Sequence, residues 1–75
     1  MTPLNSIHND RSVKIVRIDA GWGLARQLSH MGLFVGDTIK VIQNSQGPLI
    51  VAKGNLRFAL GRGMSHKIFV IQENC

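Results

Sequence analysis

One segment of the chain, Gly21 to Met31, has the periodicity of an amphipathic helix. Leu24, Leu28 and Met31 recur in it at spacings of four and three, which places them on a single apolar face. The other apolar segments are only four to six residues long and rich in β-branched residues, as is typical of short strands. This pattern predicts a mainly β domain that contains one packed helix.

The strand-like segments number five, and they alternate with turn signals. We predict strands at Val13–Ile18, Thr38–Ile42, Pro48–Lys53, Leu56–Leu60 and Ile68–Ile71. Gly54 and Asn55 separate two of them and predict a two-residue hairpin turn. Ile15 and Val16 are both apolar, which either a β-bulge or burial on both faces would explain. Because a sheet of few strands has exposed edges, we expect it to close into a small barrel.

The segment after the helix is unusually apolar for a loop. Gly32 lies where a left-handed helix cap is favoured, and Leu33 is then expected to contact Leu28. Leu33, Phe34 and Val35 stand between two glycines. Apolar loop residues either pack inward or form an adhesive surface. We expect two of the three to be buried and Phe34 to be at least partly exposed.

The length of 75 residues predicts a single domain, 1–75, with a core from about residue 4 to residue 71. Leu4 and Ile7 are the expected anchors of an otherwise irregular N-terminus. The net charge of +5 favours acidic partners. A single cysteine, Cys75, excludes a disulfide framework and indicates a reducing compartment. No signal peptide or membrane span is visible, so we expect a cytoplasmic protein.

Side chains that carry chemistry are few and scattered. The potential metal ligands are His8, His30, His66 and Cys75, and none has the spacing of a zinc site. Gly21-Trp22-Gly23 lacks the lysine and hydroxyl residue of a phosphate loop, and Trp22 could belong to the core or to its rim. We therefore predict no catalytic residue, no metal site and no cofactor, while an adventitious or regulatory divalent metal stays open.

The basic residues are spread singly along the chain, and only four aromatic residues accompany them. Nucleic-acid barrels usually interleave such charges with stacking aromatics, so binding of nucleic acid is not expected. The same shortage disfavours a barrel that binds proline-rich peptides. A metal-responsive or nucleic-acid-binding module is the alternative to an adaptor function.

Three motifs resemble the ferrous iron transport protein A (FeoA) family in order and spacing. Ala25 to Asp37 resembles the family's Arg-x-Leu-x-x-Met/Leu-Gly-x-x-x-Gly helix and loop. Gly47-Pro48-Leu49 resembles its Gly-Pro-Leu strand start, and Ala59 to Met64 with Ile68-Phe69-Val70 resembles its last two strands. Many members carry glycine before the first strand, where this chain has Asn9-Asp10, which also tolerate turn geometry.

The resemblance implies a small SH3-like β-barrel with a helix inserted after the first strand. Members of the family are similar to the C-terminal module of diphtheria-toxin-repressor-type metalloregulators. The implied role is non-enzymatic and cytoplasmic: support of ferrous iron uptake by docking on the cytoplasmic part of FeoB, a membrane permease with a G-protein domain, and modulating it. No family catalytic residue exists to transfer.

We expect the helix and the following loop to form the docking face. The candidate partner-binding residues are Leu24, Arg26, Leu33, Phe34 and Val35. Positive charge would add attraction to the anionic inner membrane surface, about 1 kcal/mol per well-placed basic residue. The protein can therefore also lie at the inner face of the membrane, and a homo-oligomer stays open.

Overall fold

A computed structural model describes residues 1–19, 21–45 and 47–72, and Cys75 lies outside them. The elements in chain order are β1 (Thr2–Pro3), a 3-10 turn (Leu4–Ser6), β2 (Ser12–Ile18), α1 (Trp22–His30), β3 (Thr38–Gln43), β4 (Leu49–Lys53), β5 (Leu56–Leu60), α2 (Arg62–Ser65) and β6 (Ile68–Gln72). Within these ranges, no helix has both the length and the apolar character that a membrane crossing needs.

The strands form one six-stranded antiparallel sheet in the order β1-β6-β2-β3-β4-β5. This confirms the predicted mainly β fold with a helix after the first predicted strand, which is β2 in the observed order. The expected closure into a barrel is not strict, because β1 and β5 stand at the two ends of the sheet and the described residues show no pairing between them. The count of five strands missed β1, whose two residues pair with Val70 and Phe69 and are too few to show alternation.

The core draws one or more residues from every strand except β1, and from α1 and the N-terminal turn. Its fully buried members are Leu4, Ile7, Val13, Ile15, Leu28, Leu33, Ile39, Val41, Leu49, Val51, Leu60, Ile68 and Val70. Leu4 and Ile7 are thus anchors, as predicted. Leu28 is the one buried residue of α1, and its burial contributes about 2 kcal/mol to holding the helix on the sheet.

Two backbone features resolve points that the sequence left open. The register of β2 against β6 shifts between Ile15 and Arg17, so a β-bulge accounts for the adjacent apolar residues. Asp10, in the turn before β2, adopts a φ of 67°. Asparagine and aspartate tolerate this left-handed region better than other residues with a Cβ, so the turn forms without a glycine at this position.

A network centred on Arg62 ties the turn before β4 to the rest of the domain. The guanidinium donates to the Gly47 carbonyl oxygen at 3.0 Å, to Asn44 Oδ1 at 2.6 Å and to the Ser45 carbonyl oxygen. We call Asn44, Ser45, Gly47 and Arg62 the Arg62 cluster. The Asn44 amide in turn donates to the carbonyl oxygens of residues 5 and 7, at 2.9 and 2.6 Å. The N-terminal segment is thereby held through polar contacts as well as through its buried anchors.

Candidate docking site

The C-terminus of α1 ends in a Schellman motif, and this motif sets the course of the next loop. The Gly32 N–H donates to the Ser29 carbonyl oxygen at 3.0 Å, and the Leu33 N–H donates to the Leu28 carbonyl oxygen at 2.9 Å. Gly32 has a φ of 88°, which glycine adopts without a steric penalty. Leu33 is buried beside Leu28 in the same core cluster. The predicted cap is confirmed.

The two residues after Leu33 point outward. Phe34 is 51% exposed and Val35 is 58% exposed, so the exposure of Phe34 is confirmed. The expectation that two of the three apolar residues would be buried is wrong, since only Leu33 packs inward. The physical reason is that the helix cap uses one apolar residue to close onto the core, and the chain then turns back to the sheet too soon to bury another.

Backbone and carboxylate contacts hold the loop in this shape. The Asp37 carboxylate accepts a hydrogen bond from the Phe34 N–H at 2.8 Å, and the Asp37 N–H donates to the Phe34 carbonyl oxygen at 3.1 Å. Gly36, at a φ of 100°, donates to the Ile15 carbonyl oxygen at 2.7 Å. These contacts fix both ends of the exposed segment to the domain.

Lys53 of β4 joins the two sides of the loop. Its ammonium donates to the Gly32 carbonyl oxygen at 2.5 Å and to Asp37 Oδ2 at 2.8 Å, and it lies 5.7 Å from the centroid of the Phe34 ring. We call Gly32, Phe34, Asp37 and Lys53 the Lys53 cluster. The Lys53 and Asp37 side chains are 34% and 23% exposed, which limits solvent screening of the pair. The hydrogen bond from Lys53, followed by the one from Phe34, lowers the pKa of Asp37.

An open apolar groove of about 400 Å³ lies between α1 and this loop. It is lined by Ile18, Trp22, Ala25, Arg26, Ser29, Leu33, Phe34 and Val35. Trp22 forms part of its rim and is 75% exposed. A volume of this size is in the range of sites that take a small ligand or anchoring side chains. Exposed aromatic and aliphatic side chains around one concavity are typical of interaction surfaces.

The structure brings together four of the five predicted site residues. Arg26, Leu33, Phe34 and Val35 all line the groove, with Leu33 contributing from its buried position. Leu24 does not line it and instead packs, half-buried, against the core.

Sequence reasoning missed the contribution of Trp22, which stands at the rim. Trp22 precedes Arg26 by four residues, the spacing at which side chains of a helix meet, and the Arg26 guanidinium carbon lies 5.9 Å from the centroid of its indole ring. This spacing is the signal that could have identified it.

In residues 1–19, 21–45 and 47–72, no three His, Cys, Asp or Glu side chains come close enough together to hold a metal ion. The predicted absence of a cofactor stays a prediction. The groove, with its apolar walls and Arg26, is therefore the candidate functional site among the described residues.

Comparison with known proteins gives matches over nearly the whole chain. The family model described as "FeoA domain" matches residues 2–72. The "Putative Fe(2+) transport protein A" of Methanocaldococcus jannaschii is 39% identical over 70 residues, which cover 93% of this chain and 85% of that protein.

Solved structures agree with this match. The crystal structure of "Iron Uptake Regulatory Protein (FeoA)" superposes with a TM-score of 0.87 at 33% identity and covers 96% of each chain. The manganese regulator SloR superposes equally well, with a TM-score of 0.87 over 96% of this chain and 34% of its own. Its identity is only 14%, so this likeness shows the fold alone. From its sequence and its fold together, the chain belongs to the FeoA family.

Proposed function

We propose that this protein is a non-enzymatic accessory protein of ferrous iron uptake, which docks on the cytoplasmic part of a FeoB-type membrane permease and modulates it. The apolar groove is the docking surface. Membership of the FeoA family and the iron transport name of the Methanocaldococcus jannaschii relative support the link to ferrous iron.

The observation that carries the proposal is the exposure of Trp22, Phe34 and Val35 around one groove. A domain of this size has few apolar side chains to spare, and leaving three of them in water lowers its solubility. The loop that presents two of them is held by the Schellman motif and the Lys53 cluster, so little ordering entropy remains to be lost on binding. Such a surface suits the docking of another protein.

The charge of the chain supports a location next to the membrane. Nine Lys and Arg against four Asp and Glu give +5. This charge attracts the protein to an anionic inner leaflet and so concentrates it near a membrane permease. Docking through the groove does not depend on this attraction, which only raises the rate of encounter.

Amide chemical-shift mapping against the cytoplasmic domain of the permease from the same organism tests the proposal. We expect shifts that cluster from residue 22 to residue 36. Phe34→Ala should weaken binding about tenfold or more, because a central aromatic anchor of an interface contributes about 2 kcal/mol. The variant should stay folded, with a loss of about 1 kcal/mol in stability, because about half of the side chain is already in solvent.

Leu56→Ala is the matched control, because Leu56 is 59% exposed and does not line the groove. It should bind like the wild type. Shifts that cluster away from the groove, or equal losses for Phe34→Ala and Leu56→Ala, would show that the docking surface lies elsewhere. An absence of any binding at high micromolar concentration would refute the partner itself.

A further inference from the structure

We infer that the groove recognises a short partner segment in which an apolar anchor is accompanied by an aspartate or glutamate, whose carboxylate pairs with Arg26. This inference rests on the proposed docking function and specifies the chemistry of the segment that is bound. It follows from Arg26, the one Lys or Arg among the described residues that lines the groove, whose guanidinium has no hydrogen-bond acceptor there.

Arg26 is an exposed arginine with an aromatic support. Its guanidinium carbon lies 5.9 Å from the centroid of the Trp22 ring, and both residues line the groove. Stacking on an aromatic face restricts a guanidinium without using its hydrogen-bond donors. Among the residues that the structure describes, no side chain or carbonyl oxygen accepts a hydrogen bond from the Arg26 guanidinium. Its donors thus lie beside the indole and are available to a partner.

Other cations with structural contacts are already engaged. Arg17 pairs with Asp19 at 3.4 Å, Lys53 pairs with Asp37 at 2.8 Å, and Arg62 donates to the Arg62 cluster. The remaining Lys and Arg side chains do not line the groove and are Arg11, Lys14, Lys40, Arg57 and Lys67. Arg26 is therefore the one groove-lining cation of the described chain, and it is without a partner there.

Among the described residues, no acidic side chain pairs with Arg26. The chain has only four acidic residues, at positions 10, 19, 37 and 73, and none of the described ones lines the groove. Asp37, the nearest along the loop, is engaged by Lys53 and by the Phe34 N–H. An incoming carboxylate would meet an unpaired guanidinium, apolar walls and a net positive domain. A lysine or arginine at the same place would meet repulsion with no compensating acid.

The geometry favours a carboxylate over the neutral acceptors of a peptide segment. A planar guanidinium can donate two parallel hydrogen bonds to a carboxylate, and such charge-assisted pairs are about twice as strong as neutral ones. The apolar walls formed by Trp22, Phe34 and Val35 would exclude water from one side of the pair. Arg26 is thus a specificity residue, while the apolar walls supply most of the affinity.

Charge variants measured against the permease's cytoplasmic domain test the inference. Arg26→Glu should weaken binding at least tenfold and Arg26→Lys about threefold, because lysine keeps the charge but loses the bidentate geometry. Arg57→Glu is the matched control: it makes the same charge change at an exposed site outside the groove and should stay within about twofold of the wild type. Circular dichroism melting of each variant excludes loss of fold as the cause.

Terminally blocked hexapeptides of alternating leucine and glutamate, glutamine or lysine give a test that does not need the permease. We expect the glutamate peptide to shift the amides of residues 22–35 at least fivefold more tightly than the glutamine peptide. Arg26→Glu should transfer the preference to the lysine peptide. Equal binding of the glutamate and glutamine peptides would overturn the inference.

The two proposals fail in different ways. If the permease domain binds, and is sensitive to Phe34→Ala but not to Arg26→Glu, the docking function stands and the acidic segment is wrong. If the domain does not bind but the glutamate peptide prefers the wild-type groove, the recognition chemistry stands and the permease is the wrong partner.

Discussion

The Lys53 cluster and the Arg62 cluster use the same device for different results. In each, one basic side chain donates hydrogen bonds to a loop that is distant in sequence, across 16 and 21 residues for Lys53 and across 15 to 18 residues for Arg62. The Arg62 cluster is polar throughout and passes its contacts on to the N-terminal segment. The Lys53 cluster instead supports Phe34, an aromatic ring that remains half in solvent.

The two clusters therefore differ in what they achieve: the Arg62 cluster stabilises the fold, and the Lys53 cluster holds an exposed apolar side chain in place. The Arg62 cluster satisfies polar groups whose loss would loosen the fold, and none of its members is an aromatic or aliphatic residue. The Lys53 cluster holds a loop in a shape that gains no burial for its apolar tip. A stabilising network beside an exposed apolar tip is expected where the tip serves a partner, because an ordered loop binds with less entropic cost. Three substitutions test whether the two clusters differ in this way.

The largest effect on folding should come from Arg62→Ala. It removes three hydrogen bonds of about 1 kcal/mol each, so the free energy of unfolding should fall by about 2–3 kcal/mol. For a domain of this length, the melting temperature should fall by roughly 10–20 °C. Urea unfolding measures the change, with Arg57→Ala as an exposed control within about 0.5 kcal/mol of the wild type. Below the melting transition, the affinity for the permease domain should be unchanged.

Lys53→Met should have a smaller effect on stability and a larger effect on binding than Arg62→Ala. It keeps the apolar stem but removes the ammonium and its two hydrogen bonds, so we expect a loss of about 1–2 kcal/mol in stability. The affinity for the permease domain should fall about tenfold, because the loop would then have to be ordered on binding. Isothermal titration calorimetry of Lys53→Met beside Arg62→Ala gives the comparison. Equal effects of the two variants on affinity would erase the distinction between the clusters.

Asp37→Asn should have the smallest effect, and that effect should depend on pH. The pKa of Asp37 is lowered in the fold from its ordinary value of 3.8, so its stabilising contribution is complete above that value and is lost as the pH falls through the lower folded pKa. The variant should be less stable than the wild type by about 1 kcal/mol near pH 7. The difference should shrink in acid. Urea unfolding at pH 7 and at about pH 3 measures it, and a difference that is the same at both values would contradict the role of the ionised carboxylate.

Most of the fold could be predicted from the sequence because its signals are local. The predicted helix, Gly21 to Met31, differs from α1 by a residue at each end, and the strand Leu56–Leu60 was predicted with its observed bounds. Gly32 was identified as the cap because only a left-handed residue closes a helix in that way. β1 was missed because two residues carry no periodicity, and its pairing with β6 joins the ends of the chain.

The site could be predicted only in part. Motif resemblance and the apolar loop pointed to Arg26, Phe34 and Val35, which do line the groove. Leu24 was included because the helix as a whole was expected to form part of the docking face, but its side chain packs against the core. Nothing local indicates that Lys53 contacts Gly32 and Asp37, because β4 reaches them only through the pairing of β3 with β4.

The sequence by itself determined the classes of local structure: a capped helix, short strands and a glycine hairpin. These follow from periodicity, glycine positions and residue chemistry, which act over a few residues. Only the tertiary structure decided that Leu33 is buried while Phe34 and Val35 remain outside, and that Arg26 lies beside Trp22 without an acceptor among the described residues. Those outcomes depend on contacts between distant segments, whose geometry exists only once the sheet has assembled.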